Sequence, residues 1–170
     1  MNKKERNVKK IFYLSISILL IYCQNQSPKL LWEKAKLMRD QNNMKESIIN
    51  LETIMEKYPK HDFAAKAQFQ KAEIYLNDIK DFDFAIEQFE QVIIKHPNHQ
   101  VAKNSLFMIA YIYNNYLGSY TDAIDNYRLF LIKYPDDELI PSVKYELEGL
   151  LEIETIIDSL NGIVSQKKNT

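Results

Sequence analysis

A chain of 170 residues that is 46% apolar and 26% charged carries enough hydrophobic side chain for one modest core, which excludes a wholly disordered protein. Only 3 Gly and 5 Pro leave too few turn residues for a many-stranded sandwich, so helices joined by short connections are expected. The full chain has a net charge of −1, and the acidic excess left without its basic first residues argues against a nucleic-acid partner; the single cysteine excludes an internal disulfide, and no Cys/His spacing suits zinc.

The first element is an address. Residues 1–10 carry Lys3, Lys4, Arg6, Lys9 and Lys10 against Glu5, Ile11 to Tyr22 are apolar apart from Ser15 and Ser17, and Cys23 stands where the run stops. A basic start followed by a short apolar run is the layout of a signal peptide, here residues 1–22. Twelve residues of helix rise only about 18 Å, against the roughly 30 Å of a bilayer core. A spanning helix is therefore not expected, although an uncleaved N-terminal anchor and a thiol without a role stay open beside a processed leader. Without these residues the remainder has an acidic excess. Residues 23–27 read as a polar tether, after which Ser27 as helix cap and Pro28 in the first turn open a folded part over residues 28–161.

An internal repeat follows. Lys57-Tyr58-Pro59, Lys95-His96-Pro97 and Lys133-Tyr134-Pro135 end three stretches, and successive prolines lie 38 residues apart. The same step carries Phe69 onto Phe107, Ala72 onto Ala110, Tyr75 onto Tyr113, Ala85 onto Ala123, Ile86 onto Ile124 and Phe89 onto Tyr127. A period of this length means stacked supersecondary units, none able to bury its apolar face alone. The units are about 28–59, 60–97 and 98–135. Within each, apolar residues at helical spacing are broken once by a polar turn, Asn77 to Asp81 in the second, so each unit reads as an antiparallel helix pair. Asn43 with Glu46, Asp81, and Ser119 with Asp122 sit where caps should satisfy exposed N–H groups of the second helix. Small residues at Ala35, Ala72 and Ala110, and at Ser47, Ala85 and Ala123, allow the two helices of a pair to approach closely.

After Pro135 the first-helix pattern restarts. Ile140, Val143, Leu147, Leu150, Ile153, Ile157 and Leu160 form one stripe, read as a long C-terminal capping helix over 137–161 that hides the apolar face of the last repeat. A tail without order is expected over 162–170.

An aromatic and a small residue on the first helix, then Phe82-x-x-Ala85-Ile86-x-x-Phe89 and Tyr120-x-x-Ala123-Ile124-x-x-Tyr127, then a closing proline, resemble the tetratricopeptide repeat. Trp32, Met44, Ser47, Ile48 and Leu51 hold the corresponding places in the first unit. The resemblance implies an all-α, right-handed superhelical solenoid of about three helix pairs plus the cap. The extended period with Tyr-Pro closures and Ala-rich restarts such as His61-Asp62-Phe63-Ala64-Ala65 looks like the BamD-like outer-membrane lipoproteins and the Tol-Pal-associated class. Leu20-Ile21-Tyr22-Cys23 resembles the bacterial lipobox, with Tyr22 where the motif has a small residue. That resemblance implies lipidation at Cys23, and Gln24 after it points to the periplasmic face of the outer membrane.

His61, His96 and His99 fall at inter-repeat turns, where His96 takes the packing place of Tyr58 and Tyr134. Asp78, Asp81 and Asp83 lack the Gly and Glu of a calcium loop. No phosphate loop or nucleophile motif appears, so neither catalytic residue, metal nor cofactor is expected. In the tetratricopeptide family, first-helix side chains line a groove that grips a peptide. The resemblance places them at Lys36, Arg39 and Asp40, at Glu73, Leu76 and Asn77, and at Tyr111, Asn114 and Asn115. The expected function is thus a non-enzymatic, lipid-anchored adaptor that binds another envelope protein or a peptide segment, as in outer-membrane protein assembly. The alternatives are a Tol-Pal-type envelope coordinator and a structural subunit that self-associates through its last helix into a homo-oligomer.

Overall fold

The computed structural model describes residues 26–168, with side chains to residue 161. The expected signal peptide and Cys23 lie outside the described residues. The chain divides into two compact units, one ending at Phe63 and the other beginning at Ala64. No strand occurs among the described residues.

In the first unit, α1 (Pro28–Asp40) and α2 (Met44–Lys57) pack side by side. Ser27 Oγ accepts from the Leu30 N–H at 3.2 Å, with Pro28 opening the helix where no N–H is needed. Asn43 Oδ1 accepts from the Glu46 N–H at 3.3 Å, the cap expected there. Ala35, Ser47, Leu51 and Ile54 are fully buried between the helices. Ser47 fits because its Oγ donates to the Ala35 carbonyl at 2.8 Å, which satisfies a hydroxyl that would otherwise cost about 1–3 kcal/mol to bury. Tyr58 Oη donates to the Gln26 carbonyl at 2.8 Å and ties the end of α2 to the start of the unit.

The second unit contains α3 (Asp62–Ile74, whose first two residues belong to the first unit), α4 (Phe82–Lys95), α5 (Gln100–Ile112), α6 (Tyr120–Lys133) and α7 (Ile140–Lys168). From α4 onward each helix packs on the next. Ala72 and Leu76 meet Ala85, Ile86 and Phe89 in one core that continues to Ile109 and Ile112. Leu106, Ala110, Ala123, Ile124, Tyr127 and Phe130 form a second core closed by Val143 and Leu150 of α7. Burying each of the Phe side chains contributes roughly 1.5–3 kcal/mol. The all-α succession of helix pairs and the long last helix are as expected, and α7 continues to Lys168, beyond the boundary at 161.

The three closures are alike in geometry. Tyr58, His96 and Tyr134 have φ of −131°, −132° and −132°, and each donates its N–H to the carbonyl four residues back at 2.9 Å. Each precedes a proline, whose ring disfavours the α conformation of the residue before it, so the helix stops there.

The turns within the pairs depart from the expected polar break at Asn77 to Asp81. Instead α3 and α5 run on as single π-turns, Tyr75–Ile79 and Tyr113–Leu117, and stop at left-handed Lys80 (φ 63°) and Gly118 (φ 62°). In the first unit Asn42 (φ 59°) follows an ordinary α-helical end, with the Asn43 N–H on the Met38 carbonyl. Asp81 and Ser119 instead reach six residues back, to the carbonyls of Tyr75 and Tyr113. The π-turn thus absorbs the one extra residue of these units without moving the start of the next helix. Asp81 Oδ1 accepts from the Phe84 N–H at 3.1 Å as expected. Ser119 differs, since its hydroxyl donates to the Asp122 carboxylate and accepts from no backbone N–H.

Candidate interaction surface

The expected groove residues of the first unit lie on α1, where Lys36 and Asp40 are exposed, Arg39 is half-buried, and Lys36 pairs with Glu33 at 3.3 Å. In the second unit the row is not uniform. Leu76 is 2% exposed and packs with Ile109 and Ile112 of the next helix pair, so it belongs to the core and lines no groove. One repeat on, Asn114 Nδ2 donates to Glu146 Oε2 of α7 at 3.1 Å. This position therefore joins one first helix to the next. Asn115 Nδ2 donates to the Tyr111 carbonyl at 3.0 Å, four residues back on the same helical run. Glu73 is half-buried and Asn77 exposed.

What remains is largely aromatic. Phe82 stacks on Tyr116 at 4.6 Å, Tyr116 meets Tyr111 edge-on at 6.0 Å, and Tyr111 lies 6.4 Å from Phe107. Phe107 in turn meets Tyr127 at 5.9 Å and Phe130 at 6.5 Å. Offset and edge contacts of this kind hold rings at fixed angles, and each contributes about 0.5–1.5 kcal/mol beyond burial. Tyr116 is 46% and Leu117 39% exposed, so the run surfaces at the π-turn while its inner end is buried. Period-based reasoning did not find Tyr116, although its aromatic ring two residues before Gly118 marks an apolar residue in what was read as a polar turn.

Two polar features also escaped it. Gln68 Nε2 donates to Gln88 Oε1 at 2.9 Å between α3 and α4, with both residues buried. Tyr127 Oη is buried without a hydrogen-bond partner, and burial together with the nearby Glu146 carboxylate pushes its phenol far above the usual value. A recess of about 380 Å³ along α7 is lined by Asn114, Glu146, Glu148, Gly149, Glu152 and Ile153.

The histidines act locally. His61 Nδ1 accepts from the Phe63 N–H at 3.2 Å and His99 Nδ1 from the Val101 N–H at 3.1 Å, each at the start of a first helix. His96 is half-buried and its pKa is lowered by burial, then by His99 and Lys95. Among the described residues no three His, Cys, Asp or Glu side chains gather as metal ligands, and no helix is long and apolar enough to cross a membrane.

These helix pairs, their small-residue contacts and their proline closures define a class, and the comparison with protein families agrees. Residues 66–99 and 104–137 each match the family model of the tetratricopeptide repeat. The second unit thus carries two tetratricopeptide repeats, a module that serves protein–protein interaction. No curated protein matches the chain.

Proposed function

We propose that this protein is a lipid-anchored adaptor of the bacterial outer membrane whose second unit binds another envelope protein through the aromatic run ending at Tyr116. The observation that carries this is the Phe82–Tyr116–Tyr111 series, partly exposed on helices of the matched repeats, with the exposed Asn77 and Asn115 on the first-helix row. Tyrosine offers apolar area with a polar tip, which suits a peptide segment better than a charged ligand. Cys23 after a short apolar run, with Gln24 behind it, supports the anchor and its sorting.

Co-purification from envelope extract tests the surface. Tyr111→Ser with Tyr116→Ser should lose a discrete partner while the unfolding midpoint shows the domain still folded, and an unchanged partner would refute the assignment. Palmitate labelling of the wild type but not of Cys23→Ala tests the anchor, and an unlabelled wild type would refute it.

A further inference from the structure

A step of 38 residues carries Tyr111, Asn114 and Asn115 onto Gly149, Glu152 and Ile153 of α7. These three α7 residues all line the recess of about 380 Å³, together with Asn114. The first-helix row of the matched repeats thus takes a further step on α7, and Asn114, one turn beyond Tyr111, belongs to both steps.

Glycine weakens a helix interior. Gly149 is exposed, and a Cβ added there would meet nothing within 4 Å, so packing among the described residues does not call for it. Where the α5 run places the Tyr111 ring, α7 leaves a wall of the recess bare, which lets another chain approach the helix closely.

Charge selects what enters. Glu146, Glu148 and Glu152 line the recess with Tyr145, which is 77% exposed, whereas Lys144 does not line it. Asn114 Nδ2 holds Glu146 Oε2 at 3.1 Å and so orients one of these carboxylates. Among the described residues no three acidic side chains gather as metal ligands, so the recess suits a cation carried on a flexible stem better than a bare ion. A lysine or arginine meets each feature, because its stem can pack on Ile153 while its charge faces the carboxylates and the Tyr145 ring.

We propose that the peptide segment bound at Tyr111 and Tyr116 continues onto α7 and places a lysine or arginine in this recess, so that the protein selects segments in which a basic residue flanks apolar ones. The assignment rests on the aromatic run as the binding surface.

Selection of a random dodecapeptide library on the full chain in non-ionic detergent tests it. Enriched peptides should join aromatic or aliphatic residues to a basic one, and alanine in place of that basic residue should weaken a synthetic copy about tenfold in fluorescence anisotropy. Glu148→Lys with Glu152→Lys should produce the same loss for the basic peptide and leave the alanine copy unaffected. Gly149→Leu should raise the unfolding midpoint yet weaken the basic peptide, a combination that loss of structure cannot give. Enrichment that needs Tyr111 and Tyr116 but is indifferent to both α7 variants overturns the recess assignment and leaves the aromatic surface standing. Enrichment that survives Tyr111→Ser with Tyr116→Ser, or no enrichment at all, overturns that surface and the recess assignment with it.

Discussion

The Lys103 ammonium on the first turns of α5 donates to the Asp137 carboxylate just before α7, tying the start of one repeat to the start of the next. Asp137 Oδ1 also accepts from the Leu139 N–H at 2.9 Å. In the 38-residue register Asp137 falls on His99 and His61, whose Nδ1 atoms bond the N–H two residues on in the same way. One position therefore caps three successive first helices, and only its last occupant is a carboxylate able to hold a lysine.

The pair has a defined pH signature. The bond from Lys103, then that from the Leu139 N–H, holds Asp137 below its ordinary value of 3.8, while the same bond raises Lys103 above 10.5. The contribution of Asp137 is present above the unfolded value and is lost as pH falls through the lower folded one. That of Lys103 is present below 10.5 and is lost as pH rises through its higher folded value. Lys103→Met should shift the Asp137 carboxyl titration, followed by carbon NMR, upward toward 3.8. No shift would mean that the backbone bond alone sets it.

Tyr127 occupies the place of Phe89, with the same complete burial but an Oη that meets no partner. An unsatisfied buried hydroxyl costs about 1–3 kcal/mol. Tyr127→Phe should therefore raise stability by about 1 kcal/mol in a denaturant titration, with helix content unchanged. A fall would show that the hydroxyl is bonded in solution.

Much of this fold was legible because its determinants repeat. Ala35, Ala72 and Ala110 are all fully buried, as the spacing required, and the prolines mark the three helix ends. The surface was less legible because its residues are chosen by the next repeat and not by the period. Leu76 and Asn114 share a register position, yet one enters a core and the other meets a carboxylate of α7. The extra residue in these turns is countable, since Ala72 to Ala85 is one residue longer than Ala35 to Ser47, but only the carbonyl that Asp81 or Ser119 reaches shows that a π-turn takes it up.

Close packing of the small residues makes a sharp test. Ala110 is fully buried within the core of Leu106, Ala123 and Tyr127. Adding three carbons in Ala110→Leu forces neighbours off their rotamers at a typical cost of about 1–3 kcal/mol. Thermal unfolding should show a clearly lower midpoint, and an unchanged one would put the position outside the helix contact.

The π-turn can be removed without disturbing the core. Deleting Asp78, which is exposed, would leave Asp81 donating to the Tyr75 carbonyl, now five residues back, as Asn43 donates to Met38. Leu76 precedes the deletion and Lys80 still precedes the cap, so neither the buried side chain nor the left-handed residue changes its role. Removing a residue within α4 is different, because each residue turns the helix by about 100°. Deleting Glu87 would rotate Phe89 and Val92, both fully buried, away from the core that Ala72 and Leu76 complete. The Asp78 deletion should therefore stay within about 1 kcal/mol of wild type in urea, whereas the Glu87 deletion should cost several times that or prevent folding. Equal losses from the two deletions would show that the π-turn itself is required for packing.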